Sequence, residues 1–329
     1  MDNQIIHIEQ CGFLTTIQDS GRKGFLQYGV SKGGAMDGYA AQVANVLVGN
    51  EFHNVVFEIT QAPHRFRFLK DALIAFTGGG LQPYLNENTI PLNQPFFVHA
   101  GSVIEMNQQI PGFRLYMAIA GSIAADLFLN SYSTSLLVQA GGFEGRTLKK
   151  EDVLSSKHVA TDFQKKLIQV LKTGAAIKIH HEILNLQSAI IRVQKGVEWN
   201  FLTTEAHQKI STATFTIGQQ SNRMGYRLKG EGLQTNQPCE IISSAVTQGT
   251  VQLTPSGELI LLMAEAQTVG GYPRIMQVCA ADLSILAQKK PGDEIQFQMV
   301  SLQEAEDLYV AQNNKLNKLQ ESLLKLYAH

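Results

Sequence analysis

The sequence predicts a mainly β protein whose strands close into sandwiches or barrels. Turn sequences such as Pro111–Gly112 and Pro291–Asp293 recur along the chain. Many short strands with regular turns are typical of sandwiches and barrels, which leave few exposed sheet edges. The sequence lacks the strand–helix alternation that is typical of a doubly wound parallel sheet. Runs rich in branched and aromatic residues predict strands at Ala72–Thr77, Pro95–His99, Phe113–Ala120, Ala189–Val193, Phe215–Ile217, Leu259–Ala264 and Ile295–Val300.

Three segments carry the pattern of helices. Asp37 can cap a helix that Gly49 ends, and a second helix is predicted at about residues 160–171. At the C-terminus, Ser301 and Glu304 have the spacing of a capping box. Because its polar face mixes both charge signs, this last helix is expected to pack on its own domain or on a neighbouring subunit. Its apolar stripe consists of Leu302, Ala305, Leu308, Tyr309, Leu316, Leu319, Leu323 and Tyr327.

The length of 329 residues predicts two domains. Segments 100–106 and 291–297 resemble each other, each being a tight turn that leads into an alternating strand, and this echo favours two related halves. Strand patterning gives way to a polar helical stretch near residues 155–188. The expected division is an N-terminal subdomain at 1–160, a linker at 161–188, a C-terminal subdomain at 189–300 and a terminal helix at 301–329.

Composition excludes several classes of function. The net charge of −1, without a basic stripe, argues against nucleic-acid binding. The sequence has no uninterrupted run of about 18 apolar residues, so it predicts no membrane span. The first residues lack the pattern of a secretory signal. Cys11, Cys239 and Cys279 are odd in number and far apart, which fits a reducing cytoplasm. We therefore expect a cytoplasmic protein that binds neither nucleic acid nor membrane.

The N-terminal glycine-rich block supplies the first candidate site. Gln18, Asp19 and Arg22 bring an amide, a carboxylate and a guanidinium into one short loop. Such a trio could hold a small amide or carboxylate, since arginine binds carboxylates in a bidentate manner. An Asp19–Arg22 ion pair that staples a turn would explain the same residues without function.

A second block has two arginines four residues apart. Asn222, Arg223, Tyr226 and Arg227 form a compact surface for an anion or an amide. An unpaired buried arginine is costly, so at least one should meet a carboxylate, another anion or a partner chain. A solvated strand end is the alternative.

A third block follows a predicted strand, at a position where sites are often built. Its glycine pair could present amides to an oxyanion, although such pairs are more often plain turns. The candidate residues here are Gln267, Thr268, Gly270, Gly271 and Tyr272.

Nucleotide and metal motifs are missing from the sequence. It contains no phosphate-binding loop of the Gly-x-x-x-x-Gly-Lys-Ser/Thr type and no Gly-x-Ser-x-Gly elbow. His180 and His181 would point to opposite faces of a strand, and no metal site is predicted. Any ATP or biotin chemistry would therefore need a partner protein.

Together these blocks resemble the family of allophanate hydrolase subunit 2 and the C subunit of 5-oxoprolinase, which is carboxyltransferase-like and related to urea amidolyase. The same module is similar to part of urea carboxylase and to a sporulation-kinase regulatory protein of bacilli. The resemblance rests on Thr15–Arg22, Gly34–Asp37, Ser221–Arg227, Gln267–Pro273 and Ala281–Leu283.

The resemblance implies two cyclophilin-like β-barrel subdomains and a heteromeric complex. The expected partners are a subunit 1 (KipI-like) homologue and a third, LamB/YcsF-like hydrolase subunit. The implied reaction is ATP-dependent opening of 5-oxoproline to glutamate, with ATP used at the level of the complex. We hypothesise that Arg223 or Arg227 holds the substrate carboxylate and that the Gly270 and Gly271 amides face the activated oxygen. The catalytic acid and base are not identified.

Two other functions stay open. One is biotin-dependent carboxyl transfer to urea or a related amide, although the chain has no biotinylation segment of its own. The other is a non-catalytic regulator that binds a kinase-inhibitor homologue. The chain also departs from the family pattern, which would fit either an altered substrate or a compensated structural change. The departures are Tyr132, Ala62, Val197, Ser244 and the pair Glu265–Ala266.

Overall fold

The computed structural model describes residues 3–174 and 185–327, with side chains described through Lys325. His180 and His181, and part of the expected linker, lie outside the described residues. The chain forms two units. The first comprises Met1–Gly21, Asp37–Leu184 and Asn314–His329, and the second comprises Arg22–Met36 and Asn185–Asn313.

This division differs from the continuous limits expected from the sequence, because residues 22–36 belong to the second unit. There the Gly33 amide donates to the Ala264 carbonyl at 2.9 Å. Met36 is buried in the apolar core of the same unit. A segment that is distant in sequence is thus built into the second unit by hydrogen bonding and by burial.

The strands of the first unit form two antiparallel sheets. The six-stranded sheet has the order β11-β1-β4-β9-β6-β7, and the five-stranded sheet has the order β2-β3-β10-β5-β8. Alternate residues of both sheets meet in one core, among them Ile6 and Phe66 from the first sheet and Phe57 and Met117 from the second. The strands are β1 Gln4–Gln10, β2 Leu14–Gln18, β3 Val56–Thr60, β4 His64–Phe68, β5 Ala72–Gly78, β6 Leu81–Leu85, β7 Asn88–Thr89, β8 Pro95–Val98, β9 Val103–Gln109, β10 Leu115–Ile119 and β11 Val153–Ser155.

Helix α1, Gly38–Leu47, packs beside the five-stranded sheet, where a row of buried polar residues crosses the strands. Asp37 caps the helix by accepting from the Ala40 amide at 2.9 Å, as the sequence predicted. The Tyr116 hydroxyl donates to Glu58 at 2.8 Å and accepts from the Asp37 amide at 2.8 Å. Thr77 donates to the Ala40 carbonyl at 2.7 Å. Burial, followed by the Glu58 charge, raises the pKa of Tyr116 well above its usual value, so the phenol stays protonated.

A closed seven-stranded barrel forms the second unit, in the order β12-β19-β16-β17-β14-β13-β20. The β12–β20 pair is parallel and the other barrel pairs are antiparallel. A separate two-stranded ribbon pairs β15 with β18. The strands are β12 Ile190–Lys195, β13 Phe215–Ile217, β14 Gly225–Lys229, β15 Ser244–Ala245, β16 Thr250–Leu253, β17 Leu259–Leu262, β18 Val269–Gly270, β19 Arg274–Val278 and β20 Glu294–Met299.

The prediction of a mainly β fold with a C-terminal helix is confirmed. The seven apolar runs coincide with β5, β8, β10, β12, β13, β17 and β20. Thr161 and Gln164 form a capping box at one helix, and Ser301 and Glu304 bond reciprocally at another. The remaining helices are α2 Asp162–Lys172, α3 Thr204–Thr212, α4 Leu283–Ala287 and α5 Leu302–Tyr327. Of these, α3 and α4 were not predicted from the sequence.

Helix α5 buries only part of its predicted apolar stripe. Leu316, Leu319 and Leu323 are buried, whereas Leu302 and Tyr309 are exposed. Within residues 3–174 and 185–327, none of the helices combines the length and the apolar composition of a membrane-spanning segment.

The buried His64 predicts a pH-dependent stability of the first unit. Its Nδ1 accepts from the Gly12 amide at 3.1 Å, so Nε2 carries the proton and donates to the Thr60 carbonyl at 3.3 Å. Burial lowers the pKa of His64 below its usual value near 6.5. Below about pH 6.5, His64 therefore binds a proton in the unfolded chain but not in the folded chain. The stability of the folded state falls as the pH falls, by at most ~1.4 kcal/mol per pH unit.

We expect wild type to lose more stability between pH 7.5 and 5.5 than His64→Gln does. Hydrogen exchange of peptides from β1 and β4 measures this. The carboxyls of Asp71 and Asp152 have lowered pKa values and titrate below this window, so they do not obscure the result. Equal losses in the two proteins would contradict a neutral buried His64.

Candidate functional site

The candidate site residues fall in both units. Gln18 and Asp19 belong to the first unit, and those from Arg22 onward belong to the second. Among the described residues, no group of three His, Cys, Asp or Glu is placed to hold a metal ion.

Asp19 organises a loop of the first unit. Its carboxylate accepts from Ser131 Oγ at 2.6 Å, Ser133 Oγ at 2.5 Å and the Tyr132 amide at 2.7 Å. The Gly21 amide adds a fourth donor at 2.8 Å. Four donors satisfy the carboxylate, so Asp19 fixes the loop around residues 131–133 in the way that an Asx turn fixes a backbone.

Gln18 lies fully buried on β2. Its Nε2 donates to Thr16 Oγ1 at 2.9 Å and more weakly to the Thr134 carbonyl at 3.4 Å. Within the described part of the chain, its Oε1 has no hydrogen-bond partner. An amide oxygen left in this state costs about 1–3 kcal/mol, so Gln18 keeps one acceptor free at a cost to stability.

Arg22 enters the second unit beside two glycines. Its side chain is 1% exposed, and its amide donates to the Lys32 carbonyl at 2.6 Å. Gly33 has a φ of +62°, and a Cβ there would lie 2.7 Å from Arg22 Nη1. Only glycine accepts both the left-handed backbone and this close approach of the guanidinium.

Arg223 holds the same glycine segment against the end of β17. Its Nη2 donates to the Gly34 carbonyl at 2.7 Å, and its Nε donates to Glu265 at 2.8 Å. Arg223 is 5% exposed and Glu265 is half-buried. At least one of the two arginines was expected to meet a carboxylate, another anion or a partner chain, and Arg223 meets the Glu265 carboxylate.

The other candidate residues of the second block lie on β14 or in the turn before it. Tyr226 points into the barrel core, and its hydroxyl donates to the Lys289 carbonyl at 3.4 Å. Arg227 is exposed, since successive side chains of a strand face opposite sides. Asn222 accepts from the Met224 amide at 2.8 Å and shapes the turn before the strand. The two arginines therefore occupy different surroundings.

The third block forms the β15–β18 ribbon and the loop beyond it. Gly270 pairs with Ser244, and the Gly271 carbonyl accepts from the Ile241 amide at 2.9 Å. The Thr268 carbonyl accepts from Val246 at 3.0 Å. The side-chain amide of Gln252 donates to the Tyr272 carbonyl at 3.2 Å, and its Oε1 lies 3.5 Å from Gln267 Nε2. Buried Gln252, which the sequence did not single out, thus connects this block to the barrel wall.

The close approach of Gly270 to Gln252 predicts the effect of a substitution. A Cβ on Gly270 would lie 2.5 Å from Gln252 Nε2. Because Gln252 is 1% exposed, its amide has little room to move, and Gly270→Ala is expected to cost about 1–3 kcal/mol. The measurement is denaturant unfolding followed by the fluorescence of Trp199, the chain's single tryptophan, which is buried in the second unit.

Gly271→Ala is the matched control, since its Cβ would lie 3.2 Å from the nearest atom, the Ile241 carbonyl oxygen. We expect a smaller loss of stability from this variant. Equal losses of stability from the two variants would show that the Gln252 side chain moves away from the new methyl group at little cost.

A cavity of about 220 Å³ lies in the second unit beside the third block. This volume is below the roughly 300–1,000 Å³ of sites that enclose drug-sized ligands, and it suits a small ring. Its lining residues are Leu26, Lys32, Val246, Thr247, Gln248, Met263, Ala264, Ala266, Gln267 and Leu283.

Of the sequence candidates, the cavity is lined by Gln267 alone. Lys32 and Gln248 were missed. Lys32 is the one cation of the glycine-rich stretch 29–37, and this was a usable signal. Gln248 lies in a polar loop that resembles any other loop in sequence, so nothing in the pattern identified it.

The chain matches a known protein family over most of its length. The family described as "Carboxyltransferase domain, subdomain A and B" matches residues 28–299. The chain is 35% identical over 302 residues to the C subunit of 5-oxoprolinase from Escherichia coli (strain K12), covering 92% of this chain and 93% of that protein.

Urea amidolyases are similar over a part of their length. The chain is 29% identical over 332 residues to urea amidolyase of Saccharomyces cerevisiae, covering 97% of this chain and 18% of that protein. The crystal structure of the K. lactis urea amidolyase superimposes with a TM-score of 0.86 at 26% identity, covering 97% of this chain and 20% of that one. The chain therefore spans about a fifth of the length of these amidolyases.

Proposed function

The chain belongs to the family of carboxyltransferase domains with subdomains A and B, and on this premise we propose that it is one component of an ATP-dependent 5-oxoprolinase. The complex would open 5-oxoproline to glutamate. The observation that carries the proposal is the 35% identity to the C subunit of 5-oxoprolinase over nearly the full length of both chains. The match to urea amidolyase covers only 18% of that protein, so it supports the relative's whole activity less directly.

The chemistry of a lactam supports an assembly rather than a lone protein. An amide is stabilised by resonance, so its carbonyl needs activation before water attacks, and ATP would supply that activation when bound to the complex. We assign to the cavity residues of this chain the binding and orientation of a small substrate, and we assign the activation by ATP to the assembled complex. Partners proposed to complete the reaction are the subunit 1 (KipI-like) homologue and the LamB/YcsF-like subunit.

The test is glutamate release from 5-oxoproline by the three purified subunits. We expect release that requires ATP and stops when this chain is omitted. Omitting each of the other two subunits in turn is the control for the assembly. A full complex that binds together and releases no glutamate would contradict the proposal and favour a regulatory role.

Biotin-dependent carboxyl transfer is the second candidate, supported by the structural match to the K. lactis urea amidolyase. It predicts that the chain accepts carboxyl from a biotinylated carrier protein and transfers it to urea. Labelled bicarbonate appearing in a urea product, and its loss when avidin blocks the carrier, would favour this function. Glutamate release that is insensitive to avidin would favour the 5-oxoprolinase.

A further inference from the structure

The cavity of the second unit has mainly apolar walls and few polar groups. Leu26, Val246, Met263 and Leu283 are the large apolar residues of its lining. Ligand pockets of this kind bury an apolar body and use a small number of polar groups to orient it. The identity of those polar groups therefore defines which ligand the cavity suits.

Lys32 is the cation of the cavity. It lines the cavity and is also accessible to solvent. Among residues 3–174 and 185–327 its ammonium makes no hydrogen bond and no ion pair. Partial burial, and to a smaller extent the charge of Lys23, lower the pKa of Lys32 below its usual value. The charge of Lys23 disfavours the Lys32 cation, and an anion bound to Lys32 would offset this repulsion.

Two side-chain amides and the Thr247 residue are the other polar members of the lining. Gln248 and Gln267 both line the cavity. The Gln267 Nε2 makes one long contact of 3.5 Å with Gln252, which leaves its carbonyl oxygen as an acceptor. The Gln248 side chain makes no hydrogen bond within the described part of the chain, so both its donor and its acceptor are available to a ligand. A ligand amide needs both kinds of partner.

The arginines considered from the sequence are less suited to bind a carboxylate. Arg223 already donates to Glu265 and to the Gly34 carbonyl, and Glu265 would repel a second carboxylate. Arg227 is exposed on the strand and does not line the cavity.

We propose that this cavity is the substrate pocket, that the Lys32 ammonium binds the carboxylate of a small cyclic amide, and that Gln248 and Gln267 bind its lactam group. The proposal rests on the proposed function and deepens it, since it places the substrate of the complex in this chain. The apolar walls then pack against the methylene groups of the ring.

Lys32→Met tests the proposal in the three-subunit complex. The substitution keeps the length of the side chain and removes its charge. Loss of a charge-assisted hydrogen bond is expected to raise KM for 5-oxoproline roughly 10- to 100-fold with a smaller change in kcat. Lys32→Arg should restore KM to within about threefold, because it keeps the cation. Lys229→Met, an exposed lysine of the same unit outside the cavity, is the control and should leave KM unchanged.

A ligand without the carboxylate separates charge recognition from general damage. 2-Pyrrolidinone has the same lactam ring, and its inhibition constant should be unchanged by Lys32→Met. In wild type, KM should also rise at alkaline pH as Lys32 loses its proton, and Lys32→Arg should remove that rise because arginine stays charged. A parallel loss for both ligands, or an unchanged alkaline limb in Lys32→Arg, would overturn the role of Lys32.

Direct binding of 5-oxoproline to the complex, measured by ligand-observed NMR without ATP, separates the pocket from the function. Binding that depends on Lys32, without turnover, supports the pocket and contradicts the proposed function. Turnover with a KM that is insensitive to Lys32→Met supports the function and contradicts the pocket. If the complex shows neither binding nor turnover, both the pocket and the proposed function are contradicted.

Discussion

Replacing Arg223 with methionine is expected to lower the free energy of unfolding of the second unit by about 3 kcal/mol, since breaking a buried ion pair leaves one charge uncompensated. Arg223 is 5% exposed and bridges Glu265 and the Gly34 carbonyl. Without Arg223, the Glu265 carboxylate loses its cation, and the Gly34 carbonyl loses the hydrogen bond that it accepts from the guanidinium. The adjoining cavity should also change shape, because Ala264 and Ala266 flank Glu265 and line it.

The fluorescence of Trp199 during urea unfolding measures this loss, since this buried tryptophan lies in the second unit. Arg227→Met is the matched control, because it removes the same group four residues away from an exposed position, where a change within about 0.5 kcal/mol is expected. The double variant Arg223→Met with Glu265→Leu should be more stable than Arg223→Met alone. Equal effects of the two single arginine substitutions would refute the ion pair as a source of stability.

Asp282→Asn is expected to cost about 3 kcal/mol by disrupting the pair that joins α4 to the barrel. Asp282 is fully buried and accepts from the Arg192 amide at 2.7 Å and from Arg192 Nε at 2.9 Å. Arg192 Nη2 donates to the other carboxylate oxygen. Asparagine keeps the shape but replaces one acceptor oxygen with a donor, which faces the guanidinium and repels it.

Cys279 offers a local readout of this change. The thiol is buried next to the pair, where burial and the Asp282 charge raise the pKa of Cys279 to about 11. In wild type, alkylation of Cys279 should therefore be slow, because it requires opening of the structure. Asp282→Asn should speed the site-resolved alkylation, measured by mass spectrometry, in proportion to the lost stability. Arg192→Met with Asp282→Leu should recover part of the protection, and no recovery would indicate damage beyond the pair.

The fold was largely predictable because its signals are local. Branched residues between turns predicted the strands, and Asp37 and the Ser301–Glu304 spacing predicted where two helices begin. The assignment of residues 22–36 to the second unit depends on bonds such as Gly33 to Ala264, between residues more than two hundred positions apart. No periodicity encodes a pairing of that kind.

The candidate site was predictable in its blocks and less so in its roles. The sequence showed that a buried arginine needs an anion, and Glu265 is that anion. Arg223 and Arg227 are four residues apart and would face the same side of one strand, so alternation alone did not distinguish them. They differ because β14 begins at Gly225, which leaves Arg223 before the strand. Lys32 and Gln248 line the cavity only because the barrel brings their loops together.

The separation of residues 22–36 from the rest of the second unit has a consequence for dissecting the protein. A fragment that starts at Asn185 would include every barrel strand and still lack Leu26 and Lys32, which form part of the cavity wall. It would also lack the Gly34 carbonyl that Arg223 binds and the buried side chain of Met36. Such a truncated barrel would expose apolar surface and would leave Arg223 without one of its acceptors. A faithful excised version therefore needs the early peptide fused back or added in trans.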